Sequence, residues 1–371
     1  MAVLNEEQAM LRDMAHNWAQ NEAPVTAWRK VRDAKTAEGY DPATYQAMAE
    51  MGWAGIIIPE DFGGSDFGYL SLGLVLEEAG RTLVASPLNA SAMAATSAIL
   101  LGGNDAQKAE WLPKLAAGEC VATLAVDEGP VHNPAKIAAI AAKTGNGFSL
   151  SGTKAFVAEG SNADLLIVAA LLDGAVNLFL VPGDAAGITK SNRVIADHRN
   201  YAEVTFDNVA LDAGALLDVQ EGAQLLDQVL DRARAGVSAE MLGMCVEAFN
   251  TTLEYLKTRR QFGQLLSSFQ ALQHRMANLF TEIELMRSAV EAALEAIDAD
   301  RSDTAQLVSL AKATASDTMH LVSREMIQLH GGIGVTDEHD AGFYLKRARV
   351  LEHMWGNASF HVNRFATLNG Y

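Results

Sequence analysis

The stretch YLKTRRQFG, residues 255–263, lies in a long region of helical periodicity and carries the strongest local signal in the chain. Before it, from about residue 220, apolar residues recur at spacings of three and four, as they do on the buried face of a helix. Taken singly, Arg259 and Arg260 fit a solvated helix face, where arginine usually lies. A guanidinium can also hold a diphosphate through two parallel hydrogen bonds. The stretch therefore places a basic pair on a long helical segment and leaves both roles open.

The apolar pattern divides the chain into three regions. Residues 1–120 have mostly helical spacing, which the loop PEDFGG at residues 59–64 must interrupt. Residues 121–217 contain short β-like runs separated by Gly, Asn and Asp turn signals. Residues 218–371 return to long helical periodicity, which predicts a bundle of four long helices. We predict an α+β fold with an N-terminal helical domain, a middle β-barrel or sandwich domain and a C-terminal four-helix bundle.

Composition narrows the class of protein. Lys and Arg number 28 against 46 Asp and Glu, and the formal charge of −18 opposes extended attraction to nucleic acid or to an anionic membrane. Cys120 and Cys245 show no CxxC or Cys/His spacing, so we expect no metal site. The N-terminus lacks a signal-peptide pattern, and no run of about eighteen apolar residues occurs. We expect a cytoplasmic protein. No dinucleotide or P-loop glycine motif is present.

Five sets of motifs carry a resemblance over nearly the whole chain. In order they are IPEDFGG (58–64) with LEEAGR (76–81), WLPKLAAGE (111–119), FDNV (206–209), YLKTRRQFG (255–263) with FQALQH (269–274), and QLHGGIG (328–334). The last two are similar to the R-x-QFG…FQ-x-x-x-H and Q-x-x-GG-x-G elements of the acyl-CoA dehydrogenases. One such motif would be weak, but five in the family's order are specific. The resemblance implies an enzyme that oxidises the Cα–Cβ bond of an acyl-CoA thioester.

The resemblance also implies FAD as the cofactor. Arg259 matches the family's pyrophosphate arginine and Phe262 its adenine-side aromatic residue. Alone, Gly331 and Gly332 would indicate a helix end and a turn, whereas in the family they let the backbone approach the dinucleotide. The full set of implied cofactor contacts is Arg259, Gln261, Phe262, Gln270, Gln328, Gly331, Gly332, Phe156 and Ala158. In the family the glycine segment comes from a neighbouring subunit, so FAD is expected across a dimer interface.

The middle region departs from the family pattern at two places. Phe156-Val157-Ala158-Glu159 stands where many members have W-I-T-N beside the flavin ring, so an aromatic remains but the threonine hydroxyl is lost. VDEGPVHNPA, residues 126–135, stands where the family has T-E-P-x-A-G-S-D, and its hydroxyl donors are missing. Backbone amides would have to replace these donors in seating the flavin.

The family's catalytic glutamate is absent from both of its usual positions. Trp355 occupies the position before a glycine near the C-terminus, and Ala233 occupies the alternative position. Glu240 follows Ala233 by seven residues, about 10 Å further along a helix, and is a weak candidate for a displaced base. The alternative is that Glu240 belongs to an acidic stripe paired with neighbouring bases. Arg234 matches a family arginine at the substrate end, with an ion pair to Asp231 as its alternative.

Two further groups near the missing base have mainly structural explanations. Glu352 lies about one helical turn before Trp355, and its default role is a partner for Arg349 or Lys346. His353 could accept a proton near neutral pH, but a lone histidine is more often structural. No residue of this segment is therefore assigned as the catalytic base.

Three interpretations follow. The chain can be the base-deficient subunit of a bacterial α2β2 acyl-CoA dehydrogenase, which explains why the dinucleotide motifs remain while the base is lost. It can be an independent homotetrameric dehydrogenase with a displaced base. It can be a flavin oxidase or monooxygenase of the same fold, although no oxygen-specific motif stands out. The first two imply an acyl-CoA substrate and an electron acceptor such as an electron-transfer flavoprotein.

Overall fold

The computed structural model describes residues 3–217 and 221–371, which fall into two compact units. The helical unit comprises Met1–Arg29, Gly73–Val84 and Arg234–Tyr371. The mixed unit comprises Lys30–Leu72 and Ala85–Ala233. Along the chain, helices are followed by a curled sheet and then by long helices, which confirms the predicted fold class. The domain bounds at residues 120 and 217 stay a prediction.

The described residues before the sheet form six α-helices. They are α1 Glu6–Glu22, α2 Val25–Ala34, α3 Pro42–Glu50, α4 Gly68–Arg81, α5 Thr96–Gly102 and α6 Asp105–Ala116. Helix α6 begins with a capping box, in which the side chains of Asn104 and Gln107 each accept the other's backbone N–H. Gln107 also donates to the carbonyls of Gly214 and Leu216, at 2.8 and 2.9 Å, which ties α6 to the end of the sheet region. The predicted PEDFGG loop is present as a short 3₁₀ turn.

The sheet has seven strands within the described residues and curls around its own core. The strands are β1 Ala122–Ala125, β2 Ile140–Lys143, β3 Gly147–Ala158, β4 Leu165–Leu172, β5 Ala175–Pro182, β6 Ile188–Asn192 and β7 Tyr201–Asp212. Strands β1 and β2 run parallel along one edge of β4, and β5 runs antiparallel along the other. Strand β3 joins β2 to β7, which pairs with β6. The apolar β-like runs predicted β1, β3, β4, β5 and β7, but β2 and β6 are mostly exposed and gave no signal.

Long helices dominate the C-terminal part of the chain. They are α7 Gly222–Thr258, α8 Gln270–Asp298 and α9 Thr304–His330, followed by the shorter α10 Ala341–His353 and α11 Ala358–Leu368. The expected fourth long helix is thus two helices. Trp355 and Gly356 have φ of +52° and +108°, and Asn357 caps α11 by accepting the N–H of Phe360. Among the described residues, no helix is both long and apolar enough to span a lipid bilayer.

Helices α4 and α7 approach each other closely in the helical unit at two glycines. A Cβ added to Gly80 would lie 2.2 Å from the carbonyl oxygen of Glu240, and one added to Gly243 would lie 1.7 Å from that of Glu77. Glu77 accepts a hydrogen bond from Arg287 of α8 at 2.8 Å, which fixes α4 from a second side. The contact is therefore backbone against backbone and leaves no room for a side chain.

We expect Gly243→Ala to lower the free energy of unfolding by at least about 1–3 kcal/mol, because its methyl group must displace the α4 backbone. Gly342→Ala is the matched control, since a Cβ there meets no heavy atom within 4 Å and Gly342 lies in α10. The control should be neutral or stabilised by up to about 1 kcal/mol. Urea unfolding followed by circular dichroism measures both variants, and equal stabilities would contradict the close approach.

Candidate cofactor site

The end of α7 fixes the backbone that carries Arg259. The Arg259 N–H donates to the carbonyl of Tyr255 at 2.8 Å, and the Arg259 carbonyl accepts from the N–H of Leu266 at 2.9 Å. Between these bonds the chain forms a tight hairpin of β8 Arg260–Gln261 and β9 Gln264–Leu265. The side chain of Arg259 is exposed and makes no ion pair within residues 3–217 and 221–371. An available guanidinium thus projects from an ordered turn.

The end of α9 supplies the second element of the site. Helix α9 ends at His330, and Gly331 adopts φ of +64°, a conformation that favours glycine. A Cβ added to Gly331 or to Gly332 would meet no heavy atom within 4 Å. The two glycines therefore border open space, which a side chain at either position would enter.

The two helix ends line one cleft of about 320 Å³. Its predicted members are Arg259, Gln261, Gln328, Gly331 and Gly332. All of them lie in the helical unit of a single chain. The ends of α7 and α9 thus adjoin within one chain, and the expected contribution of a neighbouring subunit's glycine segment stays a prediction.

Residues that the sequence did not single out bring the two helix ends together. The Tyr255 hydroxyl donates to the carbonyl of His330 at 3.3 Å, and the two rings lie 4.4 Å apart. The His330 ring also packs against the His339 ring, with their centres 4.3 Å apart and their planes tilted by 47°. Arg275 of α8 holds Glu325 of α9 through hydrogen bonds of 2.6 and 2.7 Å. Tyr255, Arg275 and His330 line the cleft. Of these residues, only Tyr255 could have been predicted from the sequence, because it lies four residues before Arg259 and so on the same helix face.

His330 is neutral in this setting. Burial lowers its pKa, and the neighbouring His339 lowers it further, against the opposite effect of the hydrogen bond to Met326. The Nδ1–H donates to the carbonyl of Met326 at 2.7 Å, which leaves the proton off Nε2. Arg275 is compensated by Glu325. The positive charge offered to a ligand in the cleft is therefore that of Arg259.

Two predicted cofactor residues lie beside the cleft lining. Phe262, at the hairpin tip, has φ of +53° and is 88% exposed, and its ring meets the edge of Phe269 at 6.2 Å. Gln270 is exposed at the start of α8. The structure places both on the hairpin side of the site without bringing them into the cleft.

The residues of the cleft fit a dinucleotide diphosphate. A guanidinium without an internal partner offers paired N–H donors, and the two glycines leave space for the backbone to approach a phosphate. The amides of Gln261 and Gln328 add neutral hydrogen-bonding groups. These features match the cofactor that the sequence implied.

The predicted flavin-facing residues lie at the end of β3 in the mixed unit. Phe156 is 48% exposed, whereas Ala158 is buried and its carbonyl accepts from the Thr123 hydroxyl at 2.6 Å. The aromatic side chain is thus presented to solvent. The carbonyl of Ala158 is already used inside the unit, which leaves Phe156 as the exposed apolar surface of this segment.

The loop that lacks the family's hydroxyl donors is held by charges instead. Glu128 accepts from the N–H groups of Ala138 and Ala139, at 2.7 and 3.0 Å, and from Lys154 at 2.6 Å. His132 pairs with Asp127 at 2.8 Å. The carboxylates of Glu128 and Asp127 therefore stabilise the loop through internal hydrogen bonds and ion pairs.

Trp355 lies in a rigid turn at the position of the missing base. Its side chain is 7% exposed, and its carbonyl accepts from Arg234 Nε and His361 Nε2, both at 3.1 Å. Arg234 is fully buried and its guanidinium lies 5.5 Å from the centre of the Phe360 ring. Its side chain has no exposed surface, and its contact with substrate stays a prediction. Ala233, at the alternative base position, is also fully buried.

Lys312 holds the other carbonyls of the same turn. The fully buried ammonium donates to the carbonyls of Leu351 and Gly356, at 3.0 and 2.9 Å, and to the Ser316 hydroxyl at 3.1 Å. Burial lowers the Lys312 pKa to about 7, with Arg234 acting in the same direction. Burial also lowers the His361 pKa to about 2, so this ring is neutral. The end of α10 and the turn after it are therefore fixed by three basic side chains.

The carboxylates considered as a displaced base are paired. Arg347 donates to Glu240 at 2.8 and 3.1 Å, and both side chains are nearly buried. Glu240 is thus paired with a neighbouring base, as its structural alternative predicts, and its weak candidacy as a displaced base gains no support from this contact. Arg349 donates to Glu352 at 2.6 Å, as expected. Burial raises the Glu352 pKa, against the opposing effect of Arg349.

Lys312→Met should remove a pH dependence of stability. Below pH about 7 the native protein buries a charged lysine, whereas the unfolded chain keeps its proton to about 10.4, so the stability of the native protein rises as pH increases between these values. The difference in free energy of unfolding between the native protein and Lys312→Met should become more favourable to the native protein over that interval. Urea unfolding at both ends of the interval measures it.

Lys346→Met on exposed α10 surface is the control for removing a positive charge, and it should show the same pH dependence as the native protein. A pH-independent difference between the native protein and Lys312→Met would contradict the lowered pKa of Lys312.

Comparisons with known proteins agree on one family. The model "Acyl-CoA dehydrogenase, N-terminal domain" matches residues 5–119, and "Acyl-CoA dehydrogenase, C-terminal domain" matches residues 220–367. "Probable acyl-CoA dehydrogenase YngJ" of Bacillus subtilis is 30% identical, and the alignment covers 94% of each chain. "Acryloyl-CoA reductase (NADH)" of Anaerotignum propionicum is 29% identical, with 96% of this chain and 93% of that protein covered.

A solved structure of a "Tcur3481-Tcur3483 steroid ACAD" variant is similar over 98% of both chains, with 32% identity and a TM-score of 0.90. The similarity thus extends over nearly the full length in sequence and in structure. Since two domain models match and a relative is 30% identical over 94% of its length, the chain belongs to the acyl-CoA dehydrogenase family.

Proposed function

We propose that this chain binds FAD and takes part in the α,β-dehydrogenation of an acyl-CoA thioester as the base-deficient subunit of a heteromeric α2β2 enzyme. One observation carries the proposal: Arg259, Gly331 and Gly332 line one cleft of this chain, while Trp355, at the position that matches the family's glutamate, is buried in a turn whose carbonyl Arg234 holds. A chain that keeps the cofactor cleft but lacks the catalytic glutamate suits a subunit whose partner supplies the base.

The residues of the cleft would hold the cofactor by its diphosphate. Arg259 supplies the charge and the paired donors, and the backbone at Gly331 and Gly332 can approach without a side chain in between. The exposed ring of Phe156 offers an apolar surface of the kind that a flavin ring packs against. Held there by Arg259 and the glycine backbone, FAD would supply the hydride-accepting chemistry of the reaction.

The α proton needs a carboxylate, and within residues 3–217 and 221–371 the two usual base positions hold Trp355 and Ala233 instead. A base must contact the carbon that it deprotonates and must have its charge available. Glu240 is bonded through both oxygens to Arg347, and Trp355 has no basic group. The second subunit would supply the carboxylate, and the electrons would pass to an acceptor such as an electron-transfer flavoprotein. Similarity to the steroid ACAD, whose name joins two proteins, supports a paired arrangement.

A homomeric enzyme is the second candidate, and Glu352 is the observation in its favour. This carboxylate is nearly buried and its pKa is raised, a property shared by many general bases. Its hydrogen bond to Arg349 at 2.6 Å holds it in place and opposes the role. A homomeric enzyme would lose its activity in Glu352→Gln, whereas the heteromeric enzyme would keep it.

Arg259→Gln should weaken FAD retention by about tenfold or more, because one charge-assisted contact to a diphosphate contributes roughly 1.5–3 kcal/mol. Arg260→Gln on the same hairpin is the control and should retain the cofactor, since Arg260 does not line the cleft. The bound flavin is measured from the visible spectrum after gel filtration. Equal loss in both variants, or in neither, would contradict the assignment of Arg259.

The heteromeric assignment is tested by expressing the chain alone and with a second acyl-CoA dehydrogenase subunit that keeps its glutamate. Anaerobic bleaching of the flavin by acyl-CoA should occur only in the co-expressed complex. Glu240→Gln in that complex should bleach at the same rate while losing roughly 3–5 kcal/mol of stability, because Arg347 then lacks its carboxylate. Bleaching by the chain alone would refute the subunit role.

A further inference from the structure

A second cleft, of about 270 Å³, lies in the mixed unit and is distinct from the cofactor cleft. One wall is formed by the end of α2 and the loop after it, and the other by the connection between β6 and β7. The charged lining residues are Arg32, Lys35, Arg193 and Arg199, and His198 lies beside them. No Asp or Glu occurs among its lining residues.

This concentration of positive charge runs against the composition of the chain. Acidic residues exceed basic ones by 46 to 28, yet four basic residues and no acidic one line this cleft. Crowding like charges costs free energy unless a counter-charge is present. Arg32 and Arg193 have carboxylate partners outside the lining, Asp33 and Glu203, whereas Lys35 has none among the described ion pairs. The arrangement favours an anionic ligand.

The cations at the mouth of the cleft are available to such a ligand. Lys35 is exposed and makes no ion pair anywhere in the described part of the chain. Arg193 pairs with Glu203, and Arg32 pairs with Asp33 at 2.7 Å, but both pairs are partly open to solvent. Ion pairs of this kind contribute only about 0–1 kcal/mol. A ligand with two negative charges can therefore compete for both guanidinium groups.

The two walls are held at a fixed distance by backbone packing. Gly39 has φ of +64°, and a Cβ added to it would lie 2.7 Å from the backbone nitrogen of Asn200. Asn200 is itself anchored, since its carbonyl accepts from the Glu159 N–H at 2.9 Å and its side chain accepts from the Ser161 N–H at 3.2 Å. The cleft is therefore preformed at this end, which lowers the entropy lost on binding.

We propose that this cleft is a binding site for a small phosphate-bearing molecule, with Lys35, Arg32 and Arg193 as its phosphate contacts. Guanidinium groups match the geometry of phosphate oxygens, and an ammonium adds a compact charge. The volume accommodates a phosphate group with a small organic substituent. The site is independent of the cofactor cleft and so goes beyond the proposed function.

Isothermal titration of the full-length, FAD-loaded protein with inorganic phosphate tests the proposal, with chloride at equal ionic strength as the blank. Lys35→Ala and Arg193→Gln should each weaken phosphate binding by about tenfold or more. Lys136→Ala is the matched control, because Lys136 is an exposed lysine of the same unit that does not line the cleft. Circular dichroism verifies that each variant is folded.

The outcomes separate this site from the other cleft. Arg259→Gln should leave the phosphate affinity unchanged, so loss of binding in that variant alone would place the anion in the cofactor cleft and overturn the inference. The absence of phosphate binding by the native protein would overturn it too, as would equal weakening in Lys35→Ala and Lys136→Ala. Binding of an acidic peptide in place of phosphate would also refute it, in favour of a protein partner.

Discussion

The cofactor cleft depends on one constraint, which is that α7 and α9 end side by side. The Tyr255 hydroxyl holds the carbonyl of His330, and the pair Arg275–Glu325 joins α8 to α9 behind it. Because both ends are fixed, the side chain of Arg259 and the bare backbone of Gly331 face the same space. A diphosphate needs a positive charge and a backbone that can approach it closely. The end of α7 supplies the charge of Arg259 and the end of α9 supplies the bare backbone of Gly331, so neither helix end is sufficient alone.

The helical unit contains two segments that match family sites, the cofactor cleft and the Trp355 turn, and their polar groups are used differently. At the cofactor cleft, charge and space are left available to a ligand. At the Trp355 turn the contacts are internal: Lys312, Arg234 and His361 donate to carbonyls at or beside the turn. Burying a lysine and an arginine is costly without such acceptors. These hydrogen bonds hold the turn in one conformation, which suits a structural role and does not suit proton transfer.

Sequence reasoning was effective where function requires a particular residue type at a particular spacing. Arg259, Gly331 and Gly332 could be named in advance because their chemistry is local. The stacking of His330 on Tyr255 and the pairing of Glu240 with Arg347, 107 residues away, depend on how helices pack, which periodicity does not specify. The split between α10 and α11 was missed because Trp355 gives no sign of a left-handed backbone, whereas Asn357 could have indicated a new helix start.

The hairpin tip has a consequence for handling the protein. Phe262 keeps 88% of its surface in water on a left-handed backbone, which is an unfavourable arrangement for an aromatic residue. Covering such a ring is worth about 1.5–3 kcal/mol. Any surface that buries this ring gains that free energy of association, whether the contact is physiological or not. The isolated chain therefore exposes an apolar contact point, and its tendency to self-associate at high concentration depends on whether another surface covers Phe262.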